Sequence, residues 1–367
     1  MDRLYESLKE TEVHGRYLNM DMISPVLQKW SERYKVTEVG FSVLGEPIYC
    51  IELGTGPVRI LMWSQMHGNE ATTTKAVLDL IKYFTLAEDS AAGLLSECRI
   101  RILPMLNPDG ARAYTRVNAR GIDLNRDAQN RSQPESIALR KAYEQFKPDF
   151  CFNLHDQRTI FNVGERALPA TLSFLAPALD EEGSVTAGRE ASMKLIAAIN
   201  QKLQEYIPGQ VGRYDDAFNL NCVGDSFQSL NTPTLLFEAG HFPGDYQREE
   251  TRKYVFLSLF TAVDHIVKGS YRQFDIQQYH AIPENEKRFW DILVRNPRLF
   301  DQQWEPDISL GLQFKEILHK GTIRFEAQIE EAGKLLTKFG HCVYDCRREA
   351  DLQKLRENTE LTRLLNG

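Results

Sequence analysis

Residues 58–70 read VRILMWSQMHGNE, an apolar run followed by a polar segment. The apolar part is bounded by turn residues, which is typical of a strand buried on both faces of a sheet. A helical pattern follows from Asn69 to Phe84. Ligands of α/β proteins gather at the carboxyl ends of strands, so His67 and Glu70 stand where a site is expected.

Strands and helices alternate over the first 270 residues. Apolar strand-like runs recur at 99–106, 149–154 and 234–237, and helical patterns begin near 134 and span 184–206 and 246–267. Ser24 and Pro25 predict the start of an earlier helix, and 37–44 with 47–53 predict a hairpin. This alternation predicts a three-layer α/β/α sandwich around a mixed, mostly parallel sheet.

The pattern changes beyond residue 270. A helix is expected at 284–294, and apolar residues alternate at 308–314 and 323–329 on either side of Lys320 and Gly321, which predicts a β-hairpin. Residues 347–365 have a charged helical pattern. We therefore expect a main domain at 1–270 and a small C-terminal α+β appendage at 271–367.

Composition limits the possible partners. The 367 residues include 44 Lys and Arg against 51 Asp and Glu, a net charge of −7, with 42% hydrophobic and 26% charged residues. These values are typical of a globular protein, and the acidic balance argues against binding to nucleic acid or to anionic membranes. No apolar run approaches the roughly 18 residues of a membrane span, and the start lacks the features of a signal peptide. We expect a soluble cytoplasmic protein.

Three residues form a candidate metal site. His67 and Glu70 can converge on one cation, and His155 ends the apolar strand that begins at Asp149. Two histidines and a glutamate match a catalytic zinc that keeps a fourth position open for water. Each signal is weak alone, because a lone histidine at a strand end is commonly structural. The six cysteines are expected to be reduced, and Cys342 with Cys346 lacks a second ligand pair for a metal.

Two further signals point to catalysis. Arg116, Arg120 and Arg126 lie within eleven residues of a loop-like stretch and could bind an anion as bidentate guanidinium groups, or could form a solvated basic loop. Glu238 ends the apolar strand that begins at Thr234. A partly desolvated carboxylate there could act as a general base, or could be an ion-paired structural residue.

The ordered motifs resemble the zinc carboxypeptidase family, in its cytosolic bacterial branch. They are His67-x-x-Glu70, Asn-Pro-Asp-Gly at 107–110, Arg116, Gly-x-Asp-x-Asn-Arg at 121–126, His155 and Glu238. The resemblance covers about residues 37–268, so it implies that 1–270 is a catalytic domain of the zinc carboxypeptidase fold.

The resemblance also implies a role for each matching residue. His67, Glu70 and His155 would bind one Zn²⁺ per chain, and Asp123 would orient a ligand histidine. Glu238 would be the general base. The remaining residues would act on the substrate: Arg116 on the oxyanion, and Asn125 with Arg126 on the terminal carboxylate.

Two more residues are candidates for substrate binding. Tyr214 lies 24 residues before Glu238, in the region where family members commonly carry a mobile tyrosine. Asp225 lies 13 residues before Glu238, where such enzymes build the specificity pocket. A carboxylate there could pair with a lysine, an arginine or the amine of diaminopimelate, or could simply cap a turn.

The resemblance implies a metallopeptidase. The expected function is a zinc-dependent carboxypeptidase that hydrolyses the amide bond next to a free carboxylate in short or peptidoglycan-derived peptides. Two alternatives stay open: a zinc-dependent deacylase of N-acyl amino acids, in which His-Gly-Asn-Glu also occurs, and a binding protein without catalysis. The expected partner is a small peptide substrate, with no nucleic acid and no membrane. Oligomeric state and the role of 271–367 are left open.

Overall fold

The computed structural model describes residues 2–86 and 88–366. Its helices are α1 Asp2–Leu8, α2 Met20–Trp30, α3 Thr72–Leu86, α4 Glu88–Glu97, α5 Pro108–Ala113, α6 Pro134–Phe146, α7 Ala187–Leu203, α8 Val223–Ser229, α9 Glu249–Lys268, α10 Ile276–His280, α11 Glu349–Glu357 and α12 Thr359–Leu365. Its strands are β1 Lys35–Phe41, β2 Pro47–Leu53, β3 Val58–Ser64, β4 Cys98–Leu103, β5 Phe150–Asp156, β6 Phe161–Val163, β7 Leu172–Leu175, β8 Val211–Arg213, β9 Thr234–Ala239, β10 Asn285–Lys287, β11 Phe289–Arg295, β12 Ser309–His319, β13 Thr322–Gly333 and β14 Phe339–Asp345.

An eight-stranded mixed sheet forms the centre of the molecule. Its strand order is β1-β2-β4-β3-β5-β9-β7-β8. The central pairs β4/β3, β3/β5 and β5/β9 are parallel, as is the edge pair β7/β8. The pairs β1/β2, β2/β4 and β7/β9 are antiparallel. The predicted mixed α/β sheet is confirmed, including the hairpin of β1 and β2.

Helices cover both faces of this sheet, because alternate residues of its strands point to opposite sides. Ile60 and Met62 of β3 face a large core that includes side chains of α2, α3, α7 and α9. Leu61 and Trp63 face a smaller core with α6 and α8. The result is the predicted three-layer sandwich.

The parallel centre of the sheet determines where the predicted site residues lie. Ser64 pairs with Leu154, so β3 and β5 end at the same edge. His155 pairs with Glu238, which brings β9 to that edge as well. The loops that follow the three strands therefore meet above one end of the sheet.

A second, four-stranded sheet follows in the order β13-β12-β11-β14, with α11 and α12 packed against it. Strands β12 and β13 are antiparallel around Lys320 and Gly321, where the sequence predicts a hairpin. Tyr279 of α10 packs in the first core, and β10 pairs with β6. The division into domains at 1–270 and 271–367 stays a prediction.

The prediction of a helix at 284–294 is wrong. The segment forms β10 and β11, and β11 lies between β12 and β14. Residues 292–294 are all buried, because the helices and the main domain cover the two faces of this strand. A short apolar run of this kind has no period that separates a buried strand from a buried helix.

The start of α2 also differs from the prediction. The helix begins at Met20, and the side chain of Asn19 accepts a hydrogen bond from the Met22 amide at 3.2 Å. Pro25 lies inside the helix, and the Ser24 hydroxyl donates to the Met20 carbonyl instead of capping. Asn is as good an N-cap as Ser, so either Asn19 or Ser24 could begin this helix. Among the described residues, no helix is both long and apolar enough to cross a membrane.

Candidate metal centre and active-site cavity

His67, Glu70 and His155 form a buried cluster at the end of the main sheet. His67 Nδ1 lies 2.8 Å from Glu70 Oε1, and His155 Nδ1 lies 2.9 Å from Glu70 Oε2. The two Nδ1 atoms are 3.1 Å apart. Across the described residues, this is the one group of three or more such side chains found to converge within metal-binding range.

The turn after β3 is shaped by residues 107–110. Asn107 caps α5 by accepting from the Gly110 amide at 2.9 Å, and its Nδ2 donates to the Met66 carbonyl at 3.1 Å. Gly68 passes so close to α5 that a Cβ built on it would lie 1.9 Å from the Gly110 carbonyl carbon. The turn that carries His67 and Glu70 therefore requires glycine at 68 and is fixed by Asn107.

Asp123 lies behind the metal cluster. Its Oδ1 is 2.9 Å from His67 Nε2, which leaves the lone pair of His67 Nδ1 facing Glu70. The same carboxylate caps the short 3₁₀ turn at Leu124–Arg126 through the Asn125 amide. Arg116 reaches the cluster from solvent, with Nη1 3.2 Å from Glu70 Oε1 and Nε 3.1 Å from Asp123 Oδ2.

Burial and charge act against each other in this cluster. Burial opposes ionisation of Glu70, but the two histidines outweigh it and lower the pKa of the carboxyl. Burial likewise disfavours the cationic form of His67, but Glu70 and Asp123 raise its pKa. For His155 burial wins and the pKa is lowered. An ionised glutamate beside a neutral histidine is the state in which these side chains bind a metal.

Glu238 enters the cavity from the end of β9. Its side chain is buried, and within the described part of the chain its carboxylate accepts no hydrogen bond. Burial is the main cause that raises its pKa well above the usual value, and the charges of Glu70 and Asp156 act in the same direction. A carboxyl group with a raised pKa takes up a proton more readily, as general acid–base catalysis requires.

Four more predicted residues line the cavity: Asn125 and Arg126 of the 3₁₀ turn, Asp225 and Tyr214. The Asn125 side chain accepts from the Val223 amide at 2.9 Å, and Arg126 lies exposed beside Cys222, whose Sγ is 3.1 Å from Nη1. Asp225, in the first turn of α8, is buried and accepts from the Asn219 amide at 2.8 Å. Burial raises its pKa to about 6. Tyr214 packs on Phe161, with ring centroids 5.6 Å apart.

One cavity of about 890 Å³ brings these side chains together. It is lined by nine of the ten predicted site residues: His67, Glu70, Arg116, Asn125, Arg126, His155, Tyr214, Asp225 and Glu238. Asp123 does not line the cavity, but it contacts His67 and Arg116, which do. The arrangement can hold a divalent metal, and it places a carboxyl group and a guanidinium beside that metal.

Part of the cavity wall was not predicted from the sequence. Arg16, Tyr114, Asp156, Arg248 and Glu316 also line it. Asp156 directly follows His155, so its position in the strand was a usable signal. Arg16 and Glu316 are 300 residues apart, and neither stands in a motif, so their pairing at 2.8 Å could not be read from the sequence.

The chain is similar to known proteins in both sequence and fold. The zinc carboxypeptidase family model matches residues 20–150. An uncharacterized protein of Zymomonas mobilis is 29% identical over 199 residues, which are 51% of this chain and 47% of that protein. The Probable carboxypeptidase 2 of Trichophyton verrucosum is 27% identical over 189 residues, 50% of this chain and 34% of its own. This chain thus spans half or less of the length of these curated relatives.

The solved structure of a metallo-carboxypeptidase from Burkholderia cenocepacia has a similar fold. The TM-score is 0.55 at 19% identity, and the match covers 69% of this chain and 70% of the other. The expected zinc carboxypeptidase-like fold is confirmed.

Proposed function

We propose, for a chain whose resemblance to the zinc carboxypeptidases is confirmed in sequence and in fold, that it is a zinc-dependent metallocarboxypeptidase. Its reaction is hydrolysis of the amide bond next to a free carboxylate in short or peptidoglycan-derived peptides. The observation that carries the proposal is the convergence of His67, Glu70 and His155 in one cavity with Glu238 and with arginine side chains.

The donor set fits one zinc ion per chain. Zn²⁺ bonds of about 2.0–2.1 Å in a tetrahedral site place ligand atoms roughly 3.3 Å apart. The two histidine Nδ1 atoms are 3.1 Å apart, and they lie 2.8 and 2.9 Å from the two different oxygens of Glu70, slightly less than this. When bound, zinc would supply a Lewis acid and lower the pKa of a water ligand to about 7.

Glu238 moves the proton in this proposal. Its carboxylate accepts a proton from the attacking water, and the resulting carboxyl donates that proton to the nitrogen of the leaving amine. Burial favours the protonated intermediate form, because it disfavours the charge on Glu238. General acid–base groups of this kind contribute about 10²- to 10⁴-fold to the rate.

Arg116 stabilises the oxygen of the scissile carbonyl as negative charge develops on it. Its guanidinium reaches Glu70 at 3.2 Å, so it lies beside the proposed metal, and its side chain is half exposed. Fixed donors at a developing oxyanion are typically worth 10²- to 10³-fold in rate. Asp123 holds the imidazole of His67 and the guanidinium of Arg116 in position.

Asn125 and Arg126 bind the terminal carboxylate of the peptide, the amide and the guanidinium donating to its two oxygens. Tyr214 closes over the substrate beside Phe161. Asp225 accepts from a cationic side chain, such as that of lysine or diaminopimelate, because most of it is ionised at neutral pH. The curated relatives whose names carry an activity are carboxypeptidases, so nothing favours the deacylase.

Metal analysis and peptide hydrolysis test the proposal together. Purified protein should contain about one zinc per chain and should release the C-terminal residue from short peptides ending in Lys, Phe, Glu or diaminopimelate. Chelation should abolish release, and added zinc should restore it. His155→Ala should lose zinc and activity together, whereas Glu238→Gln, the matched control, should keep zinc and lose activity. Full activity after exhaustive chelation would refute the proposal.

A further inference from the structure

The cavity continues past the metal cluster to a wall that no zinc carboxypeptidase motif of the sequence includes. Asp156 begins this part, since its amide donates to Glu70 Oε2 at 3.1 Å. Arg16 Nη1 lies 3.9 Å from the Asp156 carboxylate, and Arg16 pairs with Glu316 of β12. The contacts of Arg126 reach the cluster by another route, through Asp123. The route from Arg16 thus ends at Oε2 of Glu70, and the route from Arg126 ends at Oε1, which His67 contacts.

Four segments that are distant in sequence build this wall. Arg16 belongs to the segment before α2, Arg158 to the loop after β5, and Lys287 to β10. Phe314 and Glu316 come from β12 of the second sheet. We call Arg16, Arg158, Lys287, Phe314 and Glu316 the distal wall.

The distal wall carries more positive than negative charge. Glu316 is already satisfied, because it accepts from Arg16 Nη2 at 2.8 Å and from the Tyr114 hydroxyl. Arg16 has a side chain only 7% exposed, yet its Nε and Nη1 have no hydrogen-bond acceptor in the structure. Arg158 and Lys287 are exposed, and neither forms an ion pair with a described carboxylate. An anion is therefore the chemical group that the distal wall lacks.

We infer that the distal wall is the subsite for an acidic residue on the acyl side of the scissile bond. This inference rests on the proposed peptidase function, because Arg126 must hold the terminal carboxylate for the rest of the peptide to point toward Arg16. The residue contacted in this assignment is the one directly before the scissile bond. The substrate class is a short peptide with a carboxylate at that residue, such as a glutamyl peptide.

Isosteric peptides separate charge from shape. We would compare acetyl-Glu-Xaa with acetyl-Gln-Xaa, where Xaa is Lys or Phe, in wild type and in the variant Arg158→Gln/Lys287→Gln. Wild type should favour Glu by about two- to fivefold in kcat/KM at low salt, as expected for partly exposed ion pairs. The preference should shrink in high salt, and it should fall toward one in the double variant.

Lys315→Gln is the matched control. Lys315 is an exposed cation of β12 between Phe314 and Glu316, so its side chain points to the opposite face of the strand. The Glu preference should survive this substitution. A preference that also survives in the double variant overturns the assignment to Arg158 and Lys287.

A binding measurement keeps this inference separate from the proposed function. Titration calorimetry on zinc-loaded Glu238→Gln should show tighter binding of acetyl-Glu-Xaa than of acetyl-Gln-Xaa. Peptides cleaved with no Glu preference would overturn the subsite and leave the function intact. Peptides bound with that preference but not cleaved by wild type would refute the function and support the subsite. Peptides neither bound nor cleaved would overturn both.

Discussion

Asp225 should give the protein a pH-dependent preference for substrates that end in lysine. Its buried carboxyl has a pKa of about 6, so it is roughly one-tenth ionised at pH 5 and more than nine-tenths ionised at pH 7.5. Because the pKa is raised, the negative charge that attracts a lysine is present above pH 6 and is lost as the pH falls through 6. A hydrogen bond to a charged partner contributes about 1.5–3 kcal/mol, or roughly 10- to 100-fold.

The assay is the ratio of kcat/KM for peptides ending in lysine and in norleucine, its uncharged isostere. The ratio cancels pH effects on the metal and on Glu238, and kcat/KM reports the ionisation of the free enzyme. We expect the ratio to fall about tenfold between pH 7.5 and pH 5. Asp225→Asn should show a low ratio that does not change with pH. A pH-independent wild-type ratio, or an unchanged ratio in the variant, would refute the role of Asp225.

Three other substitutions test the site and its support. Glu238→Gln should lower kcat by about 10²- to 10⁴-fold while the zinc content stays at one per chain, and loss of the metal instead would assign Glu238 a ligand role. Gly68→Ala should lower both zinc affinity and the urea midpoint, because its Cβ meets the backbone of Gly110, and an unchanged midpoint would contradict that contact. Arg252→Leu should reduce the free energy of unfolding by about 3–5 kcal/mol, because it removes the ion-pair partner of the fully buried Asp79 carboxylate. Asp79 Oδ2 lies 2.7 Å from Arg252 Nε. Urea denaturation would measure the loss.

The sequence predicted that His67, Glu70 and His155 lie together. The prediction was possible because these residues follow apolar strands, which have few alternative positions in a sheet. His67 and His155 each end such a run, and parallel pairing of β3 with β5 brings them to one edge. Glu238 follows the same logic on β9. Buried parallel strands leave few possible registers, so residues at their carboxyl ends meet almost by necessity.

The C-terminal region was harder to predict for a physical reason. Strand β11 is buried on one face by α11 and α12, which follow it in sequence, and on the other by the main domain, where Tyr246 donates to Asp291, so its apolar run carries no period of its own. The ion pair of Arg16 with Glu316 depends on how two sheets dock, and local pattern contains no information on docking. The convergence of His67, Glu70 and His155 was therefore predictable from the sequence, whereas the distal wall was not.

The pairing of Arg16 with Glu316 also has a consequence for the order in which a newly made chain matures. All three side chains proposed to bind the metal have been synthesised by residue 155, and Glu316 follows 161 residues later. At about 5–20 residues per second, the ribosome needs roughly 10 to 30 s to cover that interval. During this time Arg16 still lacks its partner, so the cavity rim can close only after the residues proposed to hold the metal have been synthesised.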